Sequence, residues 1–405
     1  MGRTKVKLLF VNESLSLAGG EKSLIALLTK IDPNVYEIDL QLFKYGEPLD
    51  SYIPNHVNLL PPLAYSVYSS SSWRKNISKF ISGSNWRHFI NKLTYSLKLR
   101  MATFNHPQKA QLFWESTRDS FTNSEKTYDV AIAYAQGVPT FYVMDKINAI
   151  KRVAWMNVNV KFFPKNKIFN YNYYLRYDQI VVVSNFTKDH FIDLFADLAD
   201  KVSILYDMID YQSIVKMSEK SITTFDPEVF NILTVARLND TQKGYDITLK
   251  ACKILKENKV KFHWYAVGKG SYKKDMENYI REHHLADHFT FLGTTDNPYP
   301  YFRAADLYVQ TSRHEGFGLS IAEARLLNIP VVTTRFDTVF MQMVNGKNGL
   351  VTDMNAEAVA EGILKIKYDK KLYNSIVNYL KQEPKENTET VKRFNEMINK
   401  LLSAS

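Results

Sequence analysis

Apolar residues fall into short runs separated by polar, glycine-punctuated turns, and into longer stretches where they recur every three or four positions. VKLLFV (6–11) reads as a strand buried on both faces, and the LAGGEKSLIALLTKI that follows it as a glycine turn entering a helix. YEIDLQLF (36–43), DVAIAYA (129–135), KRVAWMNV (151–158), DQIVVVS (178–184) and KVSILYD (201–207) supply further strands, with Ser184 placed to cap a helix. Between them, residues 66–125 carry helical spacing. A polar segment, 208–228, reads as a linker to a second alternating set. That set comprises NILTVARL (231–238), a helix over 244–257, KFHWYAVG (261–268), a helix over 271–285, FTFLG (289–293), ADLYVQTS (305–312), a helix over 318–327 and PVVTT (330–334).

Strands alternating with helices imply parallel sheets covered on both faces, so the expected fold class is α/β with two doubly wound, Rossmann-like domains. The expected boundaries are 1–207, 208–383 and a C-terminal helix, 384–405, packing back on the first domain. Ligands of such sheets bind beyond the carboxyl ends of the strands, which points to a site in a cleft between the domains.

Composition narrows the class. The chain has 405 residues, 45% hydrophobic and 23% charged, as in a globular protein of two domains. A single cysteine, Cys252, excludes an internal disulfide and fits a reducing compartment. The basic start MGRTKVKLLFV has too short an apolar run for a signal peptide, and no window suits a membrane span, so a cytoplasmic location is expected. The formal charge of +10 is concentrated: Ser51–Trp114 holds no Asp or Glu, but has Arg74, Lys75, Lys79, Arg87, Lys92, Lys98, Arg100 and Lys109. Trp73 and Trp86 lie among these cations, and Trp86, Ile90, Leu93 and Leu97 recur at helical spacing. Cations with aromatics suggest an anionic surface, whether lipid headgroups or nucleic acid. An ordinary solvated helical face is the plain alternative.

Three strand-end turns could carry chemistry. Gly19 and Gly20 open a helix after the first strand without matching a dinucleotide or Walker loop, and offer backbone N–H groups to an anion. In ARLNDTQKG, Arg237 sits at a strand's carboxyl end and Lys243 just before Gly244 and a helix, a pairing suited to a pyrophosphate. Gly268, in the turn Gly268-Lys269-Gly270, gives a weaker third signal. EGFGLSIAE then sets Glu315 before a loop of Gly316, Phe317 and Gly318, with a helix starting near Gly318–Leu319 and Glu323 inside it. Eight helical steps separate the carboxylates by about 12 Å, beyond the roughly 5–9.5 Å of a hydrolase pair, so they would hold different parts of one extended ligand.

These segments, with FLGTTDNPYPYFRAADLYVQTSRHEGFGLSIAEA and VNGKNGLV, resemble the retaining glycosyltransferases of family 4, of GT-B fold. The resemblance implies transfer from a nucleotide-diphosphate sugar, by default a UDP-sugar, with retention and without metal or other cofactor. It implies that Arg237 and Lys243 hold the diphosphate, that Glu323 binds the ribose hydroxyls, and that Glu315 meets the sugar near its anomeric centre. Backbone N–H groups at Gly318 and Leu319 would cap the β-phosphate, with Gly19 across the cleft. Asn157 stands where many relatives have a histidine contacting the sugar, Ala18 replaces the first glycine of the usual pair, and Gln342 falls near the usual place of a further acid.

In a GT-B enzyme the basic segment belongs to the acceptor-binding domain. The expectation is therefore a glycan or polyprenyl-linked saccharide acceptor, in bacterial surface-polysaccharide synthesis. Trp73, Arg74, Lys75, Trp86, Arg87, Lys92, Lys98 and Arg100 would touch the inner face of the plasma membrane. Nucleic-acid binding would leave the second domain's site unexplained. A sugar-nucleotide epimerase or phosphorylase, and a catalytically silent partner subunit, are the rival readings on the same fold.

Overall fold

The computed structural model describes residues 5–70, 86–100, 103–157, 162–385 and 388–403. They form two compact units: Met1–Met208 together with Thr388–Ser405, and Ile209–Asn387.

The first unit is built on a seven-stranded parallel sheet. Its strands are β1 (Val6–Asn12), β2 (Tyr36–Leu42), β3 (Val57–Leu59), β4 (Thr127–Ala133), β5 (Asn148–Met156), β6 (Gln179–Val182) and β7 (Val202–Ile204), in the order β3-β2-β1-β4-β5-β6-β7. Side chains alternate across the pleat. Leu9, Val11, Ala131, Ala133, Ala154 and Met156 enter one core with Trp114, Phe141 and Tyr174. Leu8, Phe10, Val130, Ile132, Val153 and Trp155 enter the other. Burial on both faces is why these strands are continuous apolar runs rather than alternating ones. The second core is completed by the helix Thr388–Ser403: Phe394 stacks on Phe10 at 6.2 Å, and the Tyr36 hydroxyl donates to Asn395 Oδ1 at 2.9 Å. Phe394 and Ile398 are fully buried, each stabilising by about 1.5–3 kcal/mol.

The second unit holds a six-stranded parallel sheet, β8 (Phe230–Val235), β9 (Phe262–Val267), β10 (Phe289–Gly293), β11 (Leu307–Gln310), β12 (Val331–Thr334) and β13 (Gly349–Thr352), ordered β10-β9-β8-β11-β12-β13. It too has a core on each face, one around Trp264 and Val309 and one around Tyr265 and Tyr308.

The segment read as a linker, 208–228, is not one throughout. It contains the helix Tyr211–Ser218, capped by Asp210, whose carboxylate accepts from the Ser213 N–H. Ile214 on that helix is buried in the second unit's core. Within 66–125 the described helices are Ala64–Ser70, Trp86–Arg100 and His106–Thr117.

In each sheet the chain leaves the first strand toward one neighbour and returns on the other side. The order reverses between β1 and β4 in the first unit, and between β8 and β11 in the second. Such switch points open a crevice at the carboxyl ends of the two strands, where the strand exits diverge.

Candidate functional site

In the second unit, the exits of β8 and β11 bring together residues far apart in sequence. After Val235 the chain runs through exposed Arg237 into a short helical turn, Asp240–Lys243, and then Gly244, which caps the helix Tyr245–Glu257. Gly244 has φ +63°, and a Cβ there would lie 2.1 Å from the Thr311 carbonyl oxygen, so only glycine fits. This close approach joins the two exits. The Arg313 N–H donates to Gln242 O at 2.8 Å, and the Thr311 hydroxyl lies 2.9 Å from Gly244 O and 3.1 Å from Lys243 O. Arg313 grips Asp246 with two bonds of 2.9 and 2.8 Å. Burial raises the Asp246 carboxyl, but the Arg313 bonds and charge outweigh it and hold the group below its usual range.

Within this frame Glu315 Oε1 accepts three bonds: from Lys243 Nζ at 2.6 Å, Ser312 Oγ at 2.6 Å and Gln310 Nε2 at 2.9 Å. Gln310 Oε1 in turn accepts from the Tyr308 hydroxyl at 2.7 Å. The Lys243 and Glu315 side chains are 15% and 10% exposed, so the pair is drier and more strongly coupled than a surface ion pair. Among the described residues no donor reaches Glu315 Oε2. A carboxylate with one oxygen fixed and one open is placed to accept a ligand hydroxyl.

Beyond Glu315 the chain passes Gly316 and Phe317 to Gly318, at φ +83°, which caps the helix Leu319–Leu326. The first backbone bonds of this helix run from Ile321 N and Ala322 N to Gly318 O, at 2.9 and 3.2 Å. The N–H groups of Gly318, Leu319 and Ser320 take no backbone partner among the described residues. By geometry and dipole that end of the helix suits an anion. Glu323, one turn on, is buried, and its Oε1 accepts from the Tyr299 hydroxyl at 2.9 Å.

Gly268, at φ +153°, would place a Cβ 2.0 Å from Ala236 O, and its N–H donates to Gly293 O at 2.7 Å. The turn after β9 therefore braces the backbone that carries Arg237. Of the two cations expected to converge, Lys243 joins the carboxylate network. Arg237 stays exposed on the same exit loop with no ion pair among the described residues. Gln342, near the place of a further acid, is buried and accepts from Arg325 at 2.7 Å, a packing contact.

In the first unit, Gly19 and Gly20 open the helix Gly19–Lys30 behind β1. A Cβ on Gly20 would lie 3.1 Å from Asn157 Nδ2, so these two expected site residues touch. Asn157 Nδ2 donates to Tyr134 O at 2.8 Å, while its Oδ1 is buried with no partner among the described residues.

Trp73, Arg74 and Lys75 lie outside the described residues, as do the side chains of Trp86 and Arg87. On the helix Trp86–Arg100, Ile90, Leu93 and Leu97 are 44%, 37% and 52% exposed, on one face. Lys98 and Arg100 are exposed and Lys92 is half-buried, its ammonium pKa lowered by that burial.

Sequence reasoning missed Gln310, Ser312, Arg313, Asp246 and Tyr299. The first two lie in a strand and its exit, where their polarity gave the only signal. Among the described residues no three His, Cys, Asp or Glu side chains gather as a metal site, and no helix is long and apolar enough to cross a membrane.

Residues 216–383 match the family model described as glycosyl transferases group 1, a stretch within the second unit. The chain is 24% identical over 198 residues to the uncharacterized glycosyltransferase MJ1059 of Methanocaldococcus jannaschii, covering 46% of this chain and 48% of that protein. It is 27% identical over 172 residues to the O-antigen biosynthesis glycosyltransferase WclY of Escherichia coli, 42% and 46% of the respective chains. The chain thus spans about half the length of these curated relatives. Among solved structures it is similar to Anabaena Alr3699/HepE in complex with UDP and glucose: TM-score 0.67 at 17% identity, over 97% of this chain and 99% of that one. This likeness shows the fold, two Rossmann-like units of the GT-B class.

Proposed function

We propose that this chain is a retaining glycosyltransferase of family 4 that moves a sugar from a nucleotide diphosphate, by default UDP, to a glycan or lipid-linked saccharide. One observation carries the reading. At the switch point of the second sheet a half-dry lysine and carboxylate are locked together beside a helix start. The match of that same unit to glycosyl transferases group 1, and the UDP complex of a protein of like fold, support it.

In this reading Lys243, Arg237 and the N–H groups at Gly318 and Leu319 stabilise the charge that grows on the departing diphosphate. Lys243 has three N–H donors, so its ammonium can keep Glu315 while meeting a phosphate oxygen. Glu315 Oε2 accepts a sugar hydroxyl and Glu323 the ribose. The bond from the anomeric carbon to the β-phosphate oxygen breaks, and the acceptor oxygen bonds to the same face. The acceptor's proton passes to the leaving phosphate. Cations and helix dipole take the part a metal would otherwise play.

The test is a panel of nucleotide-sugars read by thermal shift and by release of the nucleotide diphosphate, with and without EDTA, and with NMR of the product's anomeric centre. A ligand at 100 times its dissociation constant adds about 2.7 kcal/mol of stability. Stabilisation by one nucleotide class, EDTA-resistant turnover and a retained configuration are expected. No shift with any nucleotide-sugar overturns the reading.

The finer assignment concerns place. The exposed Ile90, Leu93 and Leu97 beside Lys98 and Arg100 suit an anionic bilayer surface, each cation there contributing about 1 kcal/mol. The acceptor would then be a polyprenyl-linked saccharide at the inner membrane face, in the class of work that the name of the Escherichia coli relative describes. Co-sedimentation with vesicles should rise with anionic lipid, fall with salt, and weaken when Lys92, Lys98 and Arg100 become Glu. A protein that stays in the supernatant at low salt with anionic vesicles ends the membrane assignment alone.

A further inference from the structure

The first sheet has a switch point of its own, and one carboxylate stands at it. Glu13 directly follows β1, and its backbone oxygen accepts from the N–H groups of Phe43 and Lys44, at 3.1 and 2.9 Å, beyond the end of β2. On the other side of the crevice, past β4, Gly137 turns at φ +97° into the helix Val138–Lys146. A Cβ on Gly137 would lie 3.9 Å from Glu13 Oε1 and 3.3 Å from the Ala110 side chain, so glycine leaves room beside the carboxylate. His106, exposed at the start of its helix, and Tyr95, on the helix Trp86–Arg100, lie within electrostatic reach of Glu13.

Glu13 is half-buried, and no side chain or backbone group among the described residues donates a hydrogen bond to its carboxylate. Burial raises its pKa, and the charge of His106 pulls it back only in part. The buried Asp39 carboxylate of the same unit, by contrast, accepts from Asn58, Lys126 and Tyr128. A carboxylate at a sheet's switch point to which no described residue donates is open to a ligand that donates O–H groups.

We propose that Glu13, across from Gly137, is an acceptor-binding residue that takes a hydroxyl pair of a saccharide at the β1/β4 switch point. The assignment rests on the transferase reading for its role, though not for its existence. Two oxygens accept from adjacent hydroxyls, and no charge on the ligand is needed. The chemical class is therefore a neutral polyol, a sugar residue, rather than a phosphate, which the carboxylate would repel.

The experiment uses the full chain, with Glu13→Gln, close to isosteric, and Glu13→Ala as a check. The probes are octyl glycosides of glucose, galactose and N-acetylglucosamine. Their binding is read without turnover by saturation-transfer NMR, and transfer onto them by product formation. Loss of a charged acceptor of two hydrogen bonds should raise KM for the accepted glycoside about tenfold or more, and remove its NMR signal. The variant's melting temperature, its nucleotide-sugar hydrolysis in water and its kcat should stay within about twofold of the parent. Parental glycoside binding in both variants overturns the proposal, and so does a parent chain that binds none of the three glycosides. Equal loss of hydrolysis and transfer also overturns it, because Glu13 would then serve the donor. Failure of the transferase reading is seen separately, as a parent chain that neither binds nor hydrolyses any nucleotide-sugar whatever the glycoside arm gives.

Discussion

The two switch points share a geometry and differ in their wiring. After β8 and β11 an ammonium, a hydroxyl and a carboxamide all point at one oxygen of Glu315, and a bidentate Arg313–Asp246 pair ties the loops that carry them. After β1 and β4, Glu13 lies within electrostatic reach of a tyrosine and a histidine and its carboxylate takes no hydrogen bond among the described residues. The first arrangement is preorganised: its dipoles are already oriented, so little reorganisation is needed when charge develops beside it. The second leaves its orienting bonds to whatever binds. On the transferase reading, a donor whose diphosphate carries the reaction's charge would need the first kind, and a neutral acceptor chosen by its hydroxyls the second.

The widest gap between them should appear in turnover. Lys243→Ala should lower kcat by about 10²–10³, the loss expected when a charge stabiliser of the transition state is removed. Arg237→Ala, whose guanidinium is exposed and outside the network, should cost closer to tenfold. Steady-state assays with saturating acceptor read both, and near-parental turnover of Lys243→Ala would remove the basis of the comparison.

Backbone strain should follow the same division. Gly244→Ala puts a Cβ 2.1 Å from Thr311 O at a positive φ, and should destabilise the second unit by about 2–4 kcal/mol. Gly20→Ala meets only the Asn157 amide at 3.1 Å, a side chain that can give, and should cost under about 1 kcal/mol in the first unit. Denaturant melts of the two variants make the pair a direct test, and equal effects would mean that the tight joining of the β8 and β11 exits matters no more than the glycine turn behind β1.

A smaller effect concerns Ser312→Ala and Gln310→Leu. Each removes one neutral donor from Glu315 while Lys243 remains, so activity should fall about three- to tenfold with nucleotide affinity unchanged. A loss as large as that of Lys243→Ala would show that the donors act as one unit rather than singly.

A last expected change appears only with pH, in the first unit's stability. Asp207 is buried, and burial pushes its pKa to about 7, with Ser23 lowering it and Glu21 adding to the rise. The folded state thus holds its proton more tightly than the unfolded chain. Its stabilising share is complete below the ordinary carboxylate pKa of 3.8 and is lost as pH rises through about 7. Asp207→Asn should therefore match the parent near pH 4 and gain on it by pH 8. The gain should be about 1 kcal/mol or more, some 2–4 °C in a unit of this size. Parallel pH–stability curves for the two would show that Asp207 titrates normally.

What the sequence made legible follows the same physics. Strands such as β1 and β8 are buried on both faces and so stand out as apolar runs. β3, with three residues, and β13, with four, are too short to show a period. The helix Tyr211–Ser218 was hidden in a polar stretch because its inward face rests largely on Ile214. Lys243 and Glu315 could be found from their neighbours in sequence, Gly244 and Gly316–Gly318. Ser312 and Gln310 could not, since their role depends on β11 ending beside the exit of β8, a matter of strand order rather than local pattern. Glu13 sits in VNES, four residues with no distinguishing spacing, and only the position of β4 gives it a setting.

The helix Thr388–Ser403 completes a core that β1 began almost four hundred residues earlier. In covalent order the second unit is thus an insertion into the first. On a ribosome, the second unit can close while the first still lacks Phe394, Met397 and Ile398. Until those residues emerge, Phe10 and its neighbours present an open apolar face. β1, made before the second unit, is therefore completed after it, and a nascent chain stalled near residue 385 should hold a protease-resistant second unit joined to a first unit that a chaperone would still bind.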